Sequence, residues 1–146
     1  MQDQNHEFDE ISTQIFNTIE SNDLEKLKLL SKTYDLKKYI NHPNDDCRTP
    51  LHEALSNENV EISFWLLNTY DLSCSINLQD GDGITPLHMS VYKGNLETII
   101  LLSEKCDLSS SINIKDFCDM TPFQLVKEHR RCSQPDELCS FGHSNW

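Results

Sequence analysis

The chain has 146 residues, 37% hydrophobic and 25% charged, and a formal net charge of −12. Such a length holds one ordinary domain or a short repeat array, and no apolar run approaches the length of a membrane span. A surface this acidic repels nucleic-acid phosphates and anionic lipid headgroups, which argues against nucleic-acid and membrane partners and makes any partner drawn in by charge a basic protein.

The first ten residues, MQDQNHEFDE, are polar and acidic. They do not read as a secretory signal and are expected to form a solvated leader ahead of the first helix. Without a signal or an Asn-x-Ser/Thr sequon, the chain is expected in the cytoplasm, the nucleus or both. Its six cysteines, Cys47, Cys74, Cys106, Cys118, Cys132 and Cys139, are then expected as reduced thiols rather than a disulfide framework.

From Ile11 onward the chain repeats itself. Thr49-Pro50-Leu51-His52 recurs as Thr85-Pro86-Leu87-His88 and, degraded, as Thr121-Pro122-Phe123-Gln124, each copy 36 residues after the last. The same step backward reaches Thr13 without a gap. The units are 13–48, 49–84, 85–120 and a partial 121–130, giving a repeat region at 11–130. Leu30, Leu66 and Leu102 fall in one column, Asp35, Asp71 and Asp107 in another, and Ile40-Asn41, Ile76-Asn77 and Ile112-Asn113 close each unit.

Each unit carries two short helical patterns. The first opens on the threonine, whose hydroxyl can accept from first-turn N–H groups, followed by a proline suited to the first helical position. In the third unit this helix presents Leu87, Ser90 and Val91, and Gly94 ends it with positive φ. The second helix presents Leu96, Ile99, Ile100 and Leu102 at helical spacing. Trp65 aligns with Leu29 and Leu101 and is expected to pack between repeats, and Cys106 replaces Tyr34 and Tyr70 as a packing residue. Asp80-Gly81-Asp82-Gly83 suits a tight turn between units. A helix pair this small buries its apolar side only by stacking on neighbours, which predicts an all-α solenoid.

Helix, turn, helix and hairpin, opened by Thr-Pro-Leu-His, resembles the ankyrin repeat over Ile11 to His129. The resemblance implies a solenoid of stacked helix-turn-helix units joined by hairpin loops. It also implies that Thr49/His52 and Thr85/His88 tie neighbouring loops and are structural, not catalytic. The units here exceed the usual length of about 33 residues. The surplus falls after the second helix and predicts an added helical turn or a wider loop. Asn22 and Glu58 replace the inter-helix glycine; Glu58 tolerates positive φ less well and predicts a softer second repeat.

Members of that family bind proteins through hairpin tips and first helices, so the resemblance implies a protein-binding module: an adaptor, inhibitor or chaperone acting as a monomer. The residues expected on that face are Asp45, Asp46 and Arg48, then Asp82 and Ile84, then Phe117 and Met120 on the tips, with Glu53, Ser56, Met89, Tyr92 and Lys93 on the first helices. They pair an acidic end with an apolar one. The alternative is a structural subunit, or a truncated isoform, of a larger repeat protein.

No phosphate-binding glycine loop, H-E-x-x-H or G-x-S-x-G motif is present. Cys47 and His52 lie close in sequence, but the histidine is committed to the loop network, so no catalytic residue and no cofactor are expected. After residue 130 the pattern fails, and 131–146 is expected to be an irregular tail. There His129, Cys132, Cys139 and His143 stand at H-x2-C-x6-C-x3-H. Zinc binding is the weaker reading of this set, because the spacing fits no finger signature.

Overall fold

The computed structural model describes residues 2–131, with side chains for residues 4–126. Among the described residues it contains seven α-helices and no strand, in the order α1 Gln2–Glu20, α2 Leu24–Thr33, α3 Pro50–Ser56, α4 Val60–Thr69, α5 Pro86–Lys93, α6 Leu96–Lys105 and α7 Pro122–Arg131. The odd-numbered first helices stack on one another, as do α4 and α6, and α1, α3 and α5 each pack on the second helix that follows.

Local chemistry sets the helix limits. Thr49 and Thr85 cap α3 and α5, accepting from the backbone N–H of His52 and His88, with proline at the next position. Asp23 and Asn95 cap α2 and α6 by accepting from the N–H of Lys26 and Thr98. Each inter-helix turn needs one left-handed residue: Asn22 (φ 54°), Glu58 (φ 58°) and Gly94 (φ 69°). Only the glycine adopts this conformation without a Cβ clash.

The core follows the columns. Leu27 and Leu30, then Ile62 and Leu66, then Leu102 are buried on the second helices, facing Ile15, Ile19, Leu51, Ala54, Leu55 and Leu87 of the first helices. Leu36, Ile40, Leu72 and Ile76 close the core beneath the loops. Trp65 packs partly buried against it, edge to face with Tyr70 at 5.6 Å. Cys106 takes the tyrosine place, and burial pushes its thiol pKa up.

Two expectations are corrected. From Gln2 onward the residues expected as a leader belong to α1, in which Phe8 stacks on Tyr39 at 4.8 Å and meets His42 edge-on at 5.2 Å. In α6, only Leu102 of the four expected core residues is fully buried, whereas Leu96 and Ile100 are 66% and 48% exposed. In a solenoid each unit is covered only by its neighbours, and among the described residues no further second helix lies over α6.

The surplus residues form a wider loop rather than a longer helix. Asp35, Asp71 and Asp107 each accept from the backbone N–H two residues on. A 3-10 turn follows at Leu36–Lys38 and at Ser111–Asn113. The Ser73 hydroxyl and N–H lower the pKa of Asp71, and the N–H and hydroxyl of Ser109 lower that of Asp107. Cys132, Cys139 and His143 of the tail lie outside the described residues, and His129 is described in its backbone alone, within α7.

Candidate protein-binding face

The loops are built on one repeated device. Asn44, Asp80 and Asp116 each donate a backbone N–H to the carbonyl four residues on, at 2.8–2.9 Å. Their side-chain Oδ1 accepts from the N–H groups two and four residues on. The tight closure requires positive φ at Cys47 (61°), Gly83 (79°) and Asp119 (63°), again one period apart. Successive tips are tied together: Gly81 N–H donates to Asp46 O and Phe117 N–H to Asp82 O, both at 3.1 Å. The loops thus form a connected edge and not independent flaps.

A histidine locks each loop to the helix before it. Thr49 N–H donates to His52 Nδ1 at 3.2 Å, and His52 Nε2 lies 3.0 Å from the carbonyl of Ile84. The same pattern joins Thr85, His88 and the Met120 carbonyl, at 3.3 and 2.9 Å. An amide N–H only donates and a carbonyl only accepts, so each ring is neutral with its proton on Nε2. Burial lowers the His52 pKa to about 4, against the opposing pull of the Ile84 carbonyl, and lowers that of His88 as well. Both rings therefore serve the fold, as the resemblance implied.

The expected face divides in two. Asp45, Asp46 and Asp82 are exposed on the tips, and none has an ion-pair partner among the described residues. Phe117 is 71% exposed, while Tyr92 and Met120 are half-buried. Phe117 lies against Gly83, where a Cβ would stand 2.6 Å from both its ring and its backbone nitrogen.

The remaining expected residues are not free surface. Ile84 and Met89 are 0% exposed, and Ser56 is buried. Arg48 and Glu53 are half-buried and engaged: Arg48 Nε lies 3.4 Å from Asp80 and Nη1 3.8 Å from Glu53. Burial raises the Glu53 pKa, opposed by Arg48. Lys93 pairs with Glu58 at 3.8 Å.

The corrections at Arg48, Glu53, Ile84 and Met89 share one cause. Arg48 and Glu53 recur one period later as Ile84 and Met89, and Asp80 recurs as Asp116. The second unit fills the space beneath the loops with an ion-pair cluster, the third with two apolar side chains. The exchange leaves Asp116 Oδ2 buried without a hydrogen-bond partner.

The stacked helix pairs, the loop edge and the Thr–His locks define a repeat solenoid with a connected loop edge. A family model for ankyrin repeats in three copies matches residues 5–116, and the chain belongs to the ankyrin-repeat family. Comparison with curated proteins finds no match. The family identifies the chain as a protein–protein interaction module. Among the described residues no helix is long and apolar enough to cross a membrane.

Proposed function

We propose that this module binds a basic protein through its hairpin tips and the adjoining first helices, as an adaptor, inhibitor or chaperone acting as a monomer inside the cell. The observation that carries the reading is the pairing of Phe117 with Asp82. The Phe117 N–H donates to the Asp82 carbonyl at 3.1 Å, so a residue with a 71% exposed aromatic ring neighbours one whose exposed carboxylate has no ion-pair partner among the described residues, with Asp46 tied to the same loop edge.

Such a surface supplies both parts of a specific interface. Aromatic side chains anchor an interface core, and unpaired carboxylates speed the approach of a cationic partner. Tyr92 and Met120 extend the face. Ile84, Met89 and Arg48 support it from beneath.

A second reading, a structural unit of a larger assembly, draws on the exposed apolar side chains Leu96, Ile100 and Phe123. Affinity capture from cell extract with the parent chain, Phe117→Ala and Asp45→Asn/Asp46→Asn/Asp82→Asn distinguishes the two. The binding reading expects one dominant basic protein, retained by the parent and lost by both loop variants. Equal recovery by all three chains counts against it.

A further inference from the structure

The outer face of the second helices changes character along the array. Lys28 and Lys32 of the first repeat recur as Phe64 and Asn68, and then as Ile100 and Glu104. All six are exposed or half-buried, so stacking does not dictate what stands there. Lys26, Lys28, Lys32, Lys37 and Lys38 are five of the 12 Lys and Arg in a chain with 24 Asp and Glu, which makes this segment a basic island on an acidic protein. Lys28 pairs with Glu25 at 3.1 Å, and the other four have no ion-pair partner among the described residues.

The island borders a groove. The α4 helix packs on α6 but less closely on α2. A groove of about 540 Å³ opens between α2 and α4, lined by Glu25, Lys28, Leu29 and Lys32 on one side and by Trp65 and Thr69 on the other. These walls are open to a ligand: Leu29 is 61% exposed, and Lys32 and Thr69 are exposed. Thr69 also borders a second cavity of about 360 Å³, lined by Tyr70 and, farther on, by the exposed Lys37.

The carboxylates of this region are engaged. Asp35 accepts from the Lys37 N–H at 3.3 Å, and Asp71 accepts from the Ser73 N–H and hydroxyl at 3.0 and 2.6 Å. Glu25 is held by Lys28 alone, and an exposed pair of that kind is weak, so Lys28 can exchange it for a ligand's carboxylate. Lys32 and Lys37 need no exchange.

The spacing suits an extended peptide. Lys28 and Lys32 stand about 6 Å apart along the helix axis. A strand repeats its side chains on one side about every 7 Å and turns the alternate ones the other way. Laid in the groove, such a segment turns carboxylates to the lysines of α2 and apolar side chains to Trp65 of α4. We propose that this groove binds an extended protein segment in which acidic and apolar residues alternate. The site lies on the second helices and not on the loop edge, so the module carries separate surfaces for partners of opposite charge.

The test is an NMR titration of the ¹⁵N-labelled full chain with the peptide Ac-Glu-Leu-Glu-Leu-Glu-NH₂. The charge-reversed Ac-Lys-Leu-Lys-Leu-Lys-NH₂ is the control, and vesicles of phosphatidylcholine with phosphatidylserine form a lipid arm. The expected result is saturable shifts of the Trp65 indole N–H and of the Leu29, Lys32 and Thr69 amides with the acidic peptide alone, weakening as salt rises. Lys28→Gln with Lys32→Gln should weaken this binding on the order of tenfold and leave the melting temperature unchanged. Leu29→Ala, at an exposed position, is the second variant and should weaken it as well. No saturable shift with the acidic peptide, equal shifts with both peptides, or binding unchanged in both folded variants would overturn the proposal. A response to vesicles without one to the peptide would make the groove a lipid surface instead. Shifts of the same signals on diluting the chain alone would make it a contact between copies.

Discussion

His52 Nε2 lies 3.0 Å from the carbonyl oxygen of Ile84, across 32 residues of chain. The bond joins the start of the second repeat's first helix to the end of the loop that leads into the third. His52→Ala removes a buried partner and should destabilise the fold by about 1–3 kcal/mol, measured by urea unfolding. Protonation of Nδ1 would leave that bond its donor but turn a second N–H toward the Thr49 N–H, which now donates to Nδ1 at 3.2 Å, so the lock is also pH-sensitive. The unfolded chain takes up this proton near pH 6.5, the folded chain only near about 4. The His52 contribution is therefore complete above pH 6.5 and declines as pH falls from 6.5 toward 4. Between pH 7.5 and 5.5 the parent should lose more stability than His52→Ala.

Leu66 and Leu102 are both 0% exposed, at equivalent positions of α4 and α6. Leu→Ala at either should cost about 2–5 kcal/mol through lost transfer energy and a residual cavity. Thermal melts check this. A melting temperature within a degree or two of the parent would contradict the stacking register.

Gly83 is a sharper probe of the loop edge. Its φ is +79°, and a Cβ there would lie 2.6 Å from the Phe117 nitrogen and ring. Gly83→Ala should cost more than about 1 kcal/mol, since an alanine at positive φ is strained before any clash. The Phe117 ring can turn but the backbone nitrogen cannot, so the tie from Phe117 N–H to Asp82 should open, seen as faster amide exchange at Phe117.

The architecture was legible because it is written in local rules repeated at a fixed step. A threonine cap, a proline after it and a left-handed turn residue each identify a helix end from a few neighbouring residues. Periodicity also located Thr49, His52, Thr85 and His88. Burial within a column was not legible in the same way. Ile84 and Met89 sit where Arg48 and Glu53 sit one unit earlier, and a loop-tip position suggested exposure for Ile84. Met89 lies on a first helix expected to face outward, and the burial of both depends on a joint exchange of ion pair for apolar fill, visible only when the side chains meet. The helical start of α1 was hidden for a similar reason: it rests on Phe8 against Tyr39 and His42, a contact between residues far apart in sequence. For the binding face, the exposure of Asp45, Asp46, Asp82 and Phe117 followed from tip position, because tight turns leave their central side chains outward.

Arg48 tests the ion-pair cluster. The Asp80 side chain is 1% exposed, and Arg48 is its ion-pair partner at 3.4 Å. Arg48→Met should cost about 3 kcal/mol, because it leaves a buried carboxylate uncompensated. In a double-mutant cycle with Asp80→Asn, the second change should cost much less in the Arg48→Met background than in the parent. Additive losses, measured by urea unfolding, would show that the two side chains act independently.

The central claim is that a basic partner docks on the loop edge, steered by Asp45, Asp46 and Asp82 and anchored by Phe117. Surface plasmon resonance against the captured partner, at low and high salt, tests it most directly. Asp45→Asn with Asp46→Asn should slow association at low salt and matter little at high salt, because exposed charges are screened. Phe117→Ala should speed dissociation at either salt, a loss of about 2 kcal/mol for a good anchor, with the melting temperature unchanged. If these loop variants leave both rate constants at parent values while substitutions on the exposed face of α6 at Leu96 and Ile100 abolish binding, the partner sits elsewhere and the account is contradicted.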